Sequence, residues 1–527
     1  MRIIENILCI MILKKEMPSK GSTMMRVRYI ELFDFKNTEH GVIEFPTAGT
    51  DPRDLKPGAD IVGIYGQNGS GKTSVIDALS ILKCLLCGHP CRDDVVMDSF
   101  SPGSNRFGLA IGLDFSNKGV ITDTLRYEAE FSRDRDKLWL SHEKISGRFS
   151  ALGEGGSKPS SRTLIEIVQK EATAAPVFSP KGAWKSILGV DESVKTGILV
   201  SMGVAQRELR SLIVNIEVFH WLIRLASFAY VGDREDWRSA NLQDCIDHMA
   251  WNPPADAPQA FKKTYEDNLG HLVAFIPMIG GYFANNVRII TTVDHAACSL
   301  QLMAVETEND GRGFDEPPFI ISLAEPAELN EAAYRRICTA IEGVSGVMGT
   351  VVPGFSIEVK DLGARISDDG DEVRKVEFLS NRNGSRIPLR CESEGVRKLI
   401  SLTTSLIQVH THRDAFVAID ELDAGIFEYL LGELLDVLGS FGSGQLLFTA
   451  HNLRALEMLG AKDIVLATTN PKNRFIKFKG HRPTNNLRDQ YLRAINLGGQ
   501  DEEVYAATNK YAIDSALYAA GVATKGN

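Results

Sequence analysis

The stretch Gly66-Gln67-Asn68-Gly69-Ser70-Gly71-Lys72-Thr73 decides the fold of this chain. It follows the apolar segment Asp60 to Tyr65, which predicts a strand, and it leads into Thr73 to Cys87, where apolar residues recur at helical spacing. A glycine loop of this spacing between a strand and a helix is typical of a phosphate-binding P-loop. Its glycines let successive backbone N–H groups face phosphate oxygens, and the helix N-terminus adds the positive end of its dipole.

Two side chains of the loop have expected roles. Lys72 is expected to reach the β- and γ-phosphates of a nucleotide, and the Thr73 hydroxyl is expected to bind magnesium. A glycine-rich turn that matches by chance is the alternative, and the flanking strand and helix argue against it. The expected phosphate-binding set is Gly66, Gln67, Asn68, Gly69, Ser70, Gly71, Lys72, Thr73 and Ser74.

Composition places the chain among ordinary globular proteins. Its 527 residues are too many for one compact core, and it is 44% apolar and 24% charged. The net charge of −10 gives no support to a nucleic-acid binder. No stretch reaches the ~18 apolar residues that cross a bilayer, so no membrane partner is expected. Eight cysteines do not form a disulfide scaffold, which favours the cytoplasm.

The pattern of strands and helices predicts a split domain. We expect antiparallel strands between 107 and 147, mainly helices from Arg162 to Asn285 with Glu208 to Phe228 the clearest, and α/β alternation from Glu394 to Thr449. The predicted division is 1–25 as a disordered tail, 26–155 as the first half of the core, 156–286 as a helical insertion, 287–480 as the second half and 481–527 as a C-terminal helical tail.

Two later motifs place acids and a histidine at predicted strand ends. Phe416 to Ile419 is an apolar strand followed by Asp420 and Glu421, where Asp420 would hold magnesium and Glu421 would orient or deprotonate water. The strand Gln445 to Thr449 leads to His451, whose imidazole would contact the γ-phosphate or the water. A surface sheet edge and a solvated histidine are the alternatives, and the order of the motifs favours function.

A third motif lies just upstream, at Ser393-Glu394-Gly395. A serine and a glycine that open a helix expose N–H groups to an anion. The simpler interpretation is that Ser393 is an N-cap of the helix, and both can hold.

The order of these motifs resembles the ABC-type ATPases of the SMC/RecF/OLD group. The resemblance is carried by the P-loop, Ser-Glu-Gly-Val-Arg-Lys from Ser393, Ile-Asp-Glu-Leu-Asp from Ile419, Thr-Ala-His-Asn from Thr449, and the opening Tyr-Ile-Glu-Leu-Phe-Asp-Phe-Lys-Asn from Tyr29. It covers about 26–150 and 287–480. It implies an α/β fold, with an ABC-type P-loop NTPase core, an antiparallel β lobe and an inserted helical arm domain.

The resemblance also implies ATP and magnesium as cofactors and a homodimer or higher homo-oligomer. Two copies would close head to tail on two ATP molecules, so that Ser393, Glu394 and Gly395 of one copy face the P-loop of the other. Glu421 would be the hydrolytic base, His451 the switch histidine, and the Leu422-Asp423 step would cross the interface. This sequence departs from transporter ATPases in having Ser-Glu-Gly rather than Ser-Gly-Gly, and no glutamine loop is assigned.

Within the group, the absence of a long heptad region and of ~200 residues after His451 favours short-arm ATPases, many of which act in anti-phage defence beside a separate nuclease or toxin. A DNA-binding ATPase of recombination or repair and a non-hydrolysing ATP-dependent scaffold or sensor are the alternatives.

A zinc site at Cys84, Cys87, His89 and Cys91 is a minor alternative, because cysteines at a helix end are more often small buried hydrophobes.

Overall fold

The structure is a computed structural model. It describes residues 23–117, 120–135, 137–149, 160–189, 192–215, 217–219, 221–222, 268–292, 299–302, 319–323, 325–366, 372–479 and 486–523.

The strands are numbered in chain order. They are β1 (Thr23–Phe35), β2 (Thr38–Glu44), β3 (Asp60–Tyr65), β4 (Arg106–Asn117), β5 (Val120–Asp134), β6 (Lys137–Phe149), β7 (Ser160–Val168), β8 (Val177–Ser179), β9 (Val287–Ile290), β10 (Ser299–Leu302), β11 (Phe319–Ser322), β12 (Ala327–Leu329), β13 (Phe355–Ile366), β14 (Glu372–Arg382), β15 (Ser385–Pro388), β16 (Phe416–Ile419), β17 (Gln445–Thr449), β18 (Ile464–Ala467) and β19 (Phe475–Lys477).

The α-helices are numbered in the same way. They are α1 (Lys72–Leu86), α2 (Asp93–Met97), α3 (Lys181–Leu188), α4 (Glu192–Arg207), α5 (Gly270–Asn285), α6 (Glu331–Val351), α7 (Glu394–Thr411), α8 (Glu428–Phe441), α9 (Leu453–Glu457), α10 (Leu487–Leu497) and α11 (Lys510–Ala523).

The core is a six-stranded sheet in the order β19-β18-β3-β17-β16-β9. All its neighbours pair in parallel except β18 and β19. Strands β3, β16 and β17 are buried along their whole length, as expected of parallel strands covered by helices on both faces. The strand of the P-loop and the strand of the two acids therefore flank β17, and all three end at the same edge of the sheet.

A seven-stranded sheet in the order β2-β1-β4-β5-β6-β7-β8 forms the antiparallel lobe that the sequence predicts. It shares a hydrophobic core with α1 and α5. The side chain of Gln445, the first residue of β17, joins the two sheets, because it accepts from the N–H of Val27 at 2.8 Å and donates to its carbonyl at 2.8 Å.

The expectation of mainly helical structure from Arg162 is wrong at its start. Strands β7 and β8 extend the antiparallel sheet, so the predicted boundary between 155 and 156 lies within the stretch that connects β6 to β7 of this one sheet. Helices follow only from α3 onward. The helical arm itself stays a prediction, since residues 223–267 of the proposed insertion lie outside the described part of the chain.

The helix predicted at Glu208 to Phe228 is also wrong in its first part. Helix α4 ends at Arg207, and Leu209 has a φ of +48°. The N–H groups of Leu212 and Ile213 bind the carboxylate of Glu143 on β6, at 2.6 and 3.2 Å, instead of helix carbonyls. The part from residue 223 lies outside the described residues.

Glu143 is fully buried between β5 and this turn. Its carboxylate also accepts from the Tyr127 hydroxyl at 2.7 Å and from the Ser211 hydroxyl. Burial raises the pKa of Glu143 to about 7, against the opposing effect of these hydrogen bonds. One buried carboxyl thus fixes the chain where helical spacing predicts a helix.

A small sheet, β12-β14-β13 with β15 on β14, packs against α6. The helix expected from Pro326 begins only at Glu331, because Ala327–Leu329 pairs with β14 and Asn330 caps the helix by accepting from the Ala333 N–H at 2.8 Å. The other expected strands and helices of the C-terminal half occur within a few residues of their predicted bounds.

The predicted tail at residues 1–25 is too long by three residues, because Thr23, Met24 and Met25 pair with β4 in the sheet. Residues 1–22 lie outside the described part of the chain. At the other end, α10 and α11 are helical as predicted. No helix among the described residues is both long and apolar enough to span a membrane.

Replacing Glu143 with alanine should destabilise the lobe. The change leaves the buried donors of Tyr127, Leu212 and Ile213 without an acceptor, a loss of about 3 kcal/mol. We expect the thermal unfolding midpoint to fall by roughly 5 °C in scanning calorimetry. Glu166→Ala is the matched control, because Glu166 lies on the neighbouring strand and binds only a half-buried His142 at 3.0 Å. Equal midpoints for both variants would contradict the role of Glu143.

Candidate functional site

The loop between β3 and α1 has the backbone geometry that its sequence predicts. Gly69 and Gly71 have φ angles of +78° and +86°, which favour glycine. A Cβ on Gly66 would lie 2.7 Å from the carbonyl oxygen of Ala467 on β18, so only glycine fits there. Helix α1 begins at Lys72, and its first N–H groups have no intrahelical acceptor. The loop is therefore a cradle for an anion.

Lys72 folds back over this loop. Its ammonium donates to the carbonyl oxygens of Gly66 and Gln67, both at 2.9 Å. Burial lowers the pKa of Lys72, while the nearby Asp420, Glu421 and Asp423 raise it in part. The side chain is thus a buried cation poised beside the loop and three carboxylates, where phosphate oxygens offer better acceptors than the two carbonyls.

Asp420 and Thr73 meet across the sheet edge. The Thr73 hydroxyl lies 3.3 Å from Oδ1 of Asp420, although the two residues are 347 positions apart. The Thr449 hydroxyl at the end of β17 donates to the same Oδ1 at 2.6 Å. Asp420 is 1% exposed. The structure thus brings the two residues predicted to bind magnesium together.

The donor set fits magnesium. Mg²⁺ prefers oxygen ligands and usually takes one or two from the protein, with phosphate oxygens and water completing the octahedron. The Thr73 hydroxyl and the Asp420 carboxylate are two such oxygens on one side of the loop.

Glu421 is held by its backbone. Its φ of +47° lies in the left-handed region, which is rare for a residue other than glycine and is concentrated at functional sites. Its N–H donates to the Thr449 hydroxyl at 2.8 Å, and its carbonyl accepts from Lys398 Nζ at 2.5 Å. Among the described residues its carboxylate makes no hydrogen bond, so it is available to a water molecule at the site.

His451 lies at the same edge, past the end of β17, and is exposed. Its N–H and that of Asn452 both donate to Oδ2 of Asp423, at 2.9 and 2.6 Å. Asp423, which follows the acid pair, therefore fixes the turn that carries the histidine. This places His451 beside the loop of Asp420 and Glu421, as the sequence predicts, and its role stays a prediction.

The motif Ser393 to Gly395 opens α7 in a different place. Ser393 caps the helix by accepting from the Val396 N–H at 3.4 Å, which is the simpler of the two interpretations. A Cβ on Gly395 would lie 2.3 Å from the carbonyl oxygen of Gly425, so this helix end packs tightly on the loop after Asp420. Within the described residues no hydrogen bond joins 393–395 to the P-loop of the same chain.

Sequence analysis missed three residues that hold the site. The Asn37 amide donates to the Gly69 carbonyl at 2.6 Å and so braces the loop from the β1–β2 turn. Thr449 links Asp420 to Glu421, and Lys398 fixes the Glu421 carbonyl. All three lie inside quoted motifs, but only the fold shows what they contact.

The remaining predicted loop residues have varied surroundings. Gln67 accepts from the N–H of Ala506 in the C-terminal segment at 3.0 Å. Ser70 and Ser74 are buried, and the Ser70 hydroxyl has no hydrogen-bond partner among the described residues. Asn68 is exposed.

The zinc alternative is wrong. Within the described ranges, which include Cys84, Cys87, His89 and Cys91, no three His, Cys, Asp or Glu side chains are grouped to hold a metal ion. The Cys84 thiol instead interacts with the Cys91 thiol, a contact that lowers the pKa of Cys84 to about 7. Burial raises the pKa of Cys87 to about 12.

Comparison with known proteins gives structural neighbours only, since no family model and no curated protein match the sequence. The chain is similar to the Smc head domain from Pyrococcus furiosus, with an extended coiled coil and bound to the C-terminal domain of ScpA, at a TM-score of 0.36 and 12% identity over 86% of this chain and 96% of that one.

Two further neighbours are the SMC head domain from Thermotoga maritima (TM-score 0.32, 11% identity, 86% of this chain and 100% of that one) and the recombination mediator RecF-ATPrS of the RecFOR pathway (0.32, 11%, 82% and 94%). These proteins belong to the group that the motifs resemble. Because every TM-score is below 0.5, the site is argued from the strand order and contacts of this chain.

Replacing Thr449 with valine should separate binding from turnover of a nucleotide. The near-isosteric change removes both hydrogen bonds that join Asp420 to Glu421, worth about 1–3 kcal/mol in the positioning of these acids. If the site hydrolyses ATP, kcat should fall about 10- to 100-fold, while KM changes less than about threefold. Steady-state kinetics measures this split. Thr339→Val, at an exposed threonine of α6, is the control, and an unchanged kcat would refute the positioning role.

Proposed function

We propose that this chain binds ATP with magnesium and hydrolyses it between the P-loop and the acid pair. The observation that carries the proposal is the meeting of Thr73, Asp420 and Thr449 at the end of the P-loop, from segments almost 350 residues apart. A glycine-rich turn without nucleotide chemistry has no need of a buried carboxylate opposite its hydroxyl.

Each part of the loop has a role in binding. The backbone from Gly66 to Gly71 and the start of α1 present N–H groups to phosphate oxygens. Lys72 exchanges its two carbonyl acceptors for phosphate oxygens and neutralises their charge. When bound, magnesium supplies charge stabilisation to the transferring phosphoryl group, and Thr73 and Asp420 are the residues that would hold it.

Glu421 is the residue that we assign to the attacking water. Its backbone is fixed on both sides by Thr449 and Lys398, so the carboxylate keeps one position while remaining unpaired among the described residues. A carboxylate so placed can orient the water and accept its proton. His451, held by Asp423, is placed to contact the γ-phosphate or the same water.

A second copy would complete the site. Ser393 to Gly395 begins a capped helix at the loop that follows Asp420, and no hydrogen bond among the described residues ties it to the P-loop of its own chain. This favours a head-to-tail pair in which these N–H groups face the ATP of the other copy. Homodimerisation driven by ATP is therefore part of the proposal.

The biological setting rests on the resemblance in sequence. By that resemblance, the ATP-driven pair acts in the cytoplasm on a separate effector, a nuclease or toxin, in defence against phage. A recombination or repair ATPase would instead be stimulated by DNA with a salt-sensitive affinity.

Two variants test the chemistry. Lys72→Ala should weaken ATP binding about 100-fold, because it removes a buried cation from the phosphates. Glu421→Gln should keep ATP binding and lower the hydrolysis rate about 100-fold or more, because the amide cannot accept a proton. Equilibrium binding of labelled ATP and phosphate release measure the two effects.

The matched controls are Lys462→Ala and Glu342→Gln, which change exposed residues outside the site. Hydrolysis by the Lys72 and Glu421 variants at the rate of the parent chain would refute both assignments. Tight ATP-dependent pairing of the parent chain without phosphate release would support a scaffold or sensor instead of an ATPase.

A further inference from the structure

Helix α11 near the C-terminus is covered by nothing in the single chain. Residues 510–521 are all exposed, including four large apolar side chains, Tyr511 (81%), Ile513 (49%), Leu517 (70%) and Tyr518 (76%). Lys510 and Asp514 are its only charged residues. A helix that is apolar around its circumference is normally buried, and one of 14 residues is marginal in water by itself. Its composition therefore requires a partner surface.

The segment before α11 delivers it to the nucleotide edge. Gln500 binds the backbone of Lys479 twice, at 3.0 Å each, Thr469 N donates to the Glu503 carbonyl at 2.9 Å, and Val504 is buried. Ala506 then donates its N–H to Gln67 of the P-loop. Because α11 begins four residues later, its start lies within about 14 Å of that contact.

A second exposed aromatic patch lies at the same edge of the core sheet. Phe427 and Tyr429, which we call the aromatic pair, are 69% and 55% exposed, and their ring centroids lie 5.7 Å apart. The pair follows the loop of Asp420 to Ile426 directly. Arg454 stacks over the Tyr429 ring at 5.0 Å.

The charges around the two surfaces are complementary. Lys510 and Asp514 are one helical turn apart on α11. Glu428 and Arg454 flank the aromatic pair, and the Nε atom of Arg454 has no hydrogen-bond partner among the described residues. A helix laid across the pair can place its lysine near Glu428 and its aspartate near Arg454.

We propose that α11 of one copy docks on the aromatic pair of a second copy when ATP joins the two chains. The inference rests on the proposed function, because the P-loop and the acid loop are the surfaces that the two copies share. Two-fold symmetry then forms the contact twice, once for each helix. The contact buries the four apolar side chains of α11, and its position next to Gln67 ties the docking to the occupied P-loop.

Mixed cross-linking tests the contact between copies. One chain carries Leu517→Cys and a second carries Phe427→Cys, so that any cross-link between these two positions joins different chains. With a non-hydrolysable ATP analogue and a short bis-thiol reagent, the mixed pair should cross-link about 100-fold faster than without nucleotide, because docking raises the local thiol concentration to the millimolar range. A mixture of Val200→Cys, an exposed apolar position on α4, with Phe427→Cys is the matched control.

A second variant measures the contribution of the helix to pairing. Leu517→Glu should weaken the ATP-dependent association about tenfold in analytical ultracentrifugation, since it removes one buried leucine from the contact. Val200→Glu should leave the association unchanged.

The outcomes separate the two claims. ATP-joined pairs that give no more Leu517–Phe427 cross-link than the Val200 control would overturn the docking and leave the pairing intact. Chains that stay single with the ATP analogue, while still binding it, would overturn both the docking and the pairing.

Discussion

The position of β17 between β3 and β16 is the constraint on which the nucleotide site depends. Gln445 pairs with Asp60 on one side and with Phe416 on the other, and the three strands run in the same direction. Because parallel strands end at one edge of a sheet, this pairing alone carries the P-loop, the two acids and His451 to the same place. No contact between the motifs in sequence is needed, and several hundred residues can lie between them without disturbing the site.

Polar side chains at both ends of β17 hold this arrangement. At the start of the strand, Gln445 satisfies both backbone groups of Val27 and so fixes the core sheet to the lobe. At its end, Thr449 binds the carboxylate of Asp420 and the N–H of Glu421. Buried polar groups are costly unless they are paired. The same hydrogen bonds that offset this cost therefore set the register of the lobe and the geometry of the acids.

The sequence predicts those parts of the site whose signal is local. The P-loop, the acid strand and the strand before His451 are each recognisable because glycine spacing and apolar runs act within ten residues. The roles of Asn37 and Lys398 depend on partners that lie 23 or more residues away, and no local pattern reports such contacts. The error at residues 208–215 has the same origin, since the apolar spacing there is helical but Glu143, 69 residues upstream, takes the N–H group of Leu212.

Two buried lysines balance the acids at the sheet edge. Burial lowers the pKa of both Lys72 and Lys398, while the nearby carboxylates, including Asp423 and Glu421, act in the opposite direction. Lys398 donates to a backbone carbonyl that has no other role, whereas Lys72 occupies two carbonyls of the loop that bends around the anion site. An incoming polyphosphate thus competes for only one of the two cations. Lys398 stays in place to hold Glu421, which lets the loop rearrange on binding while the acid that faces the water does not move.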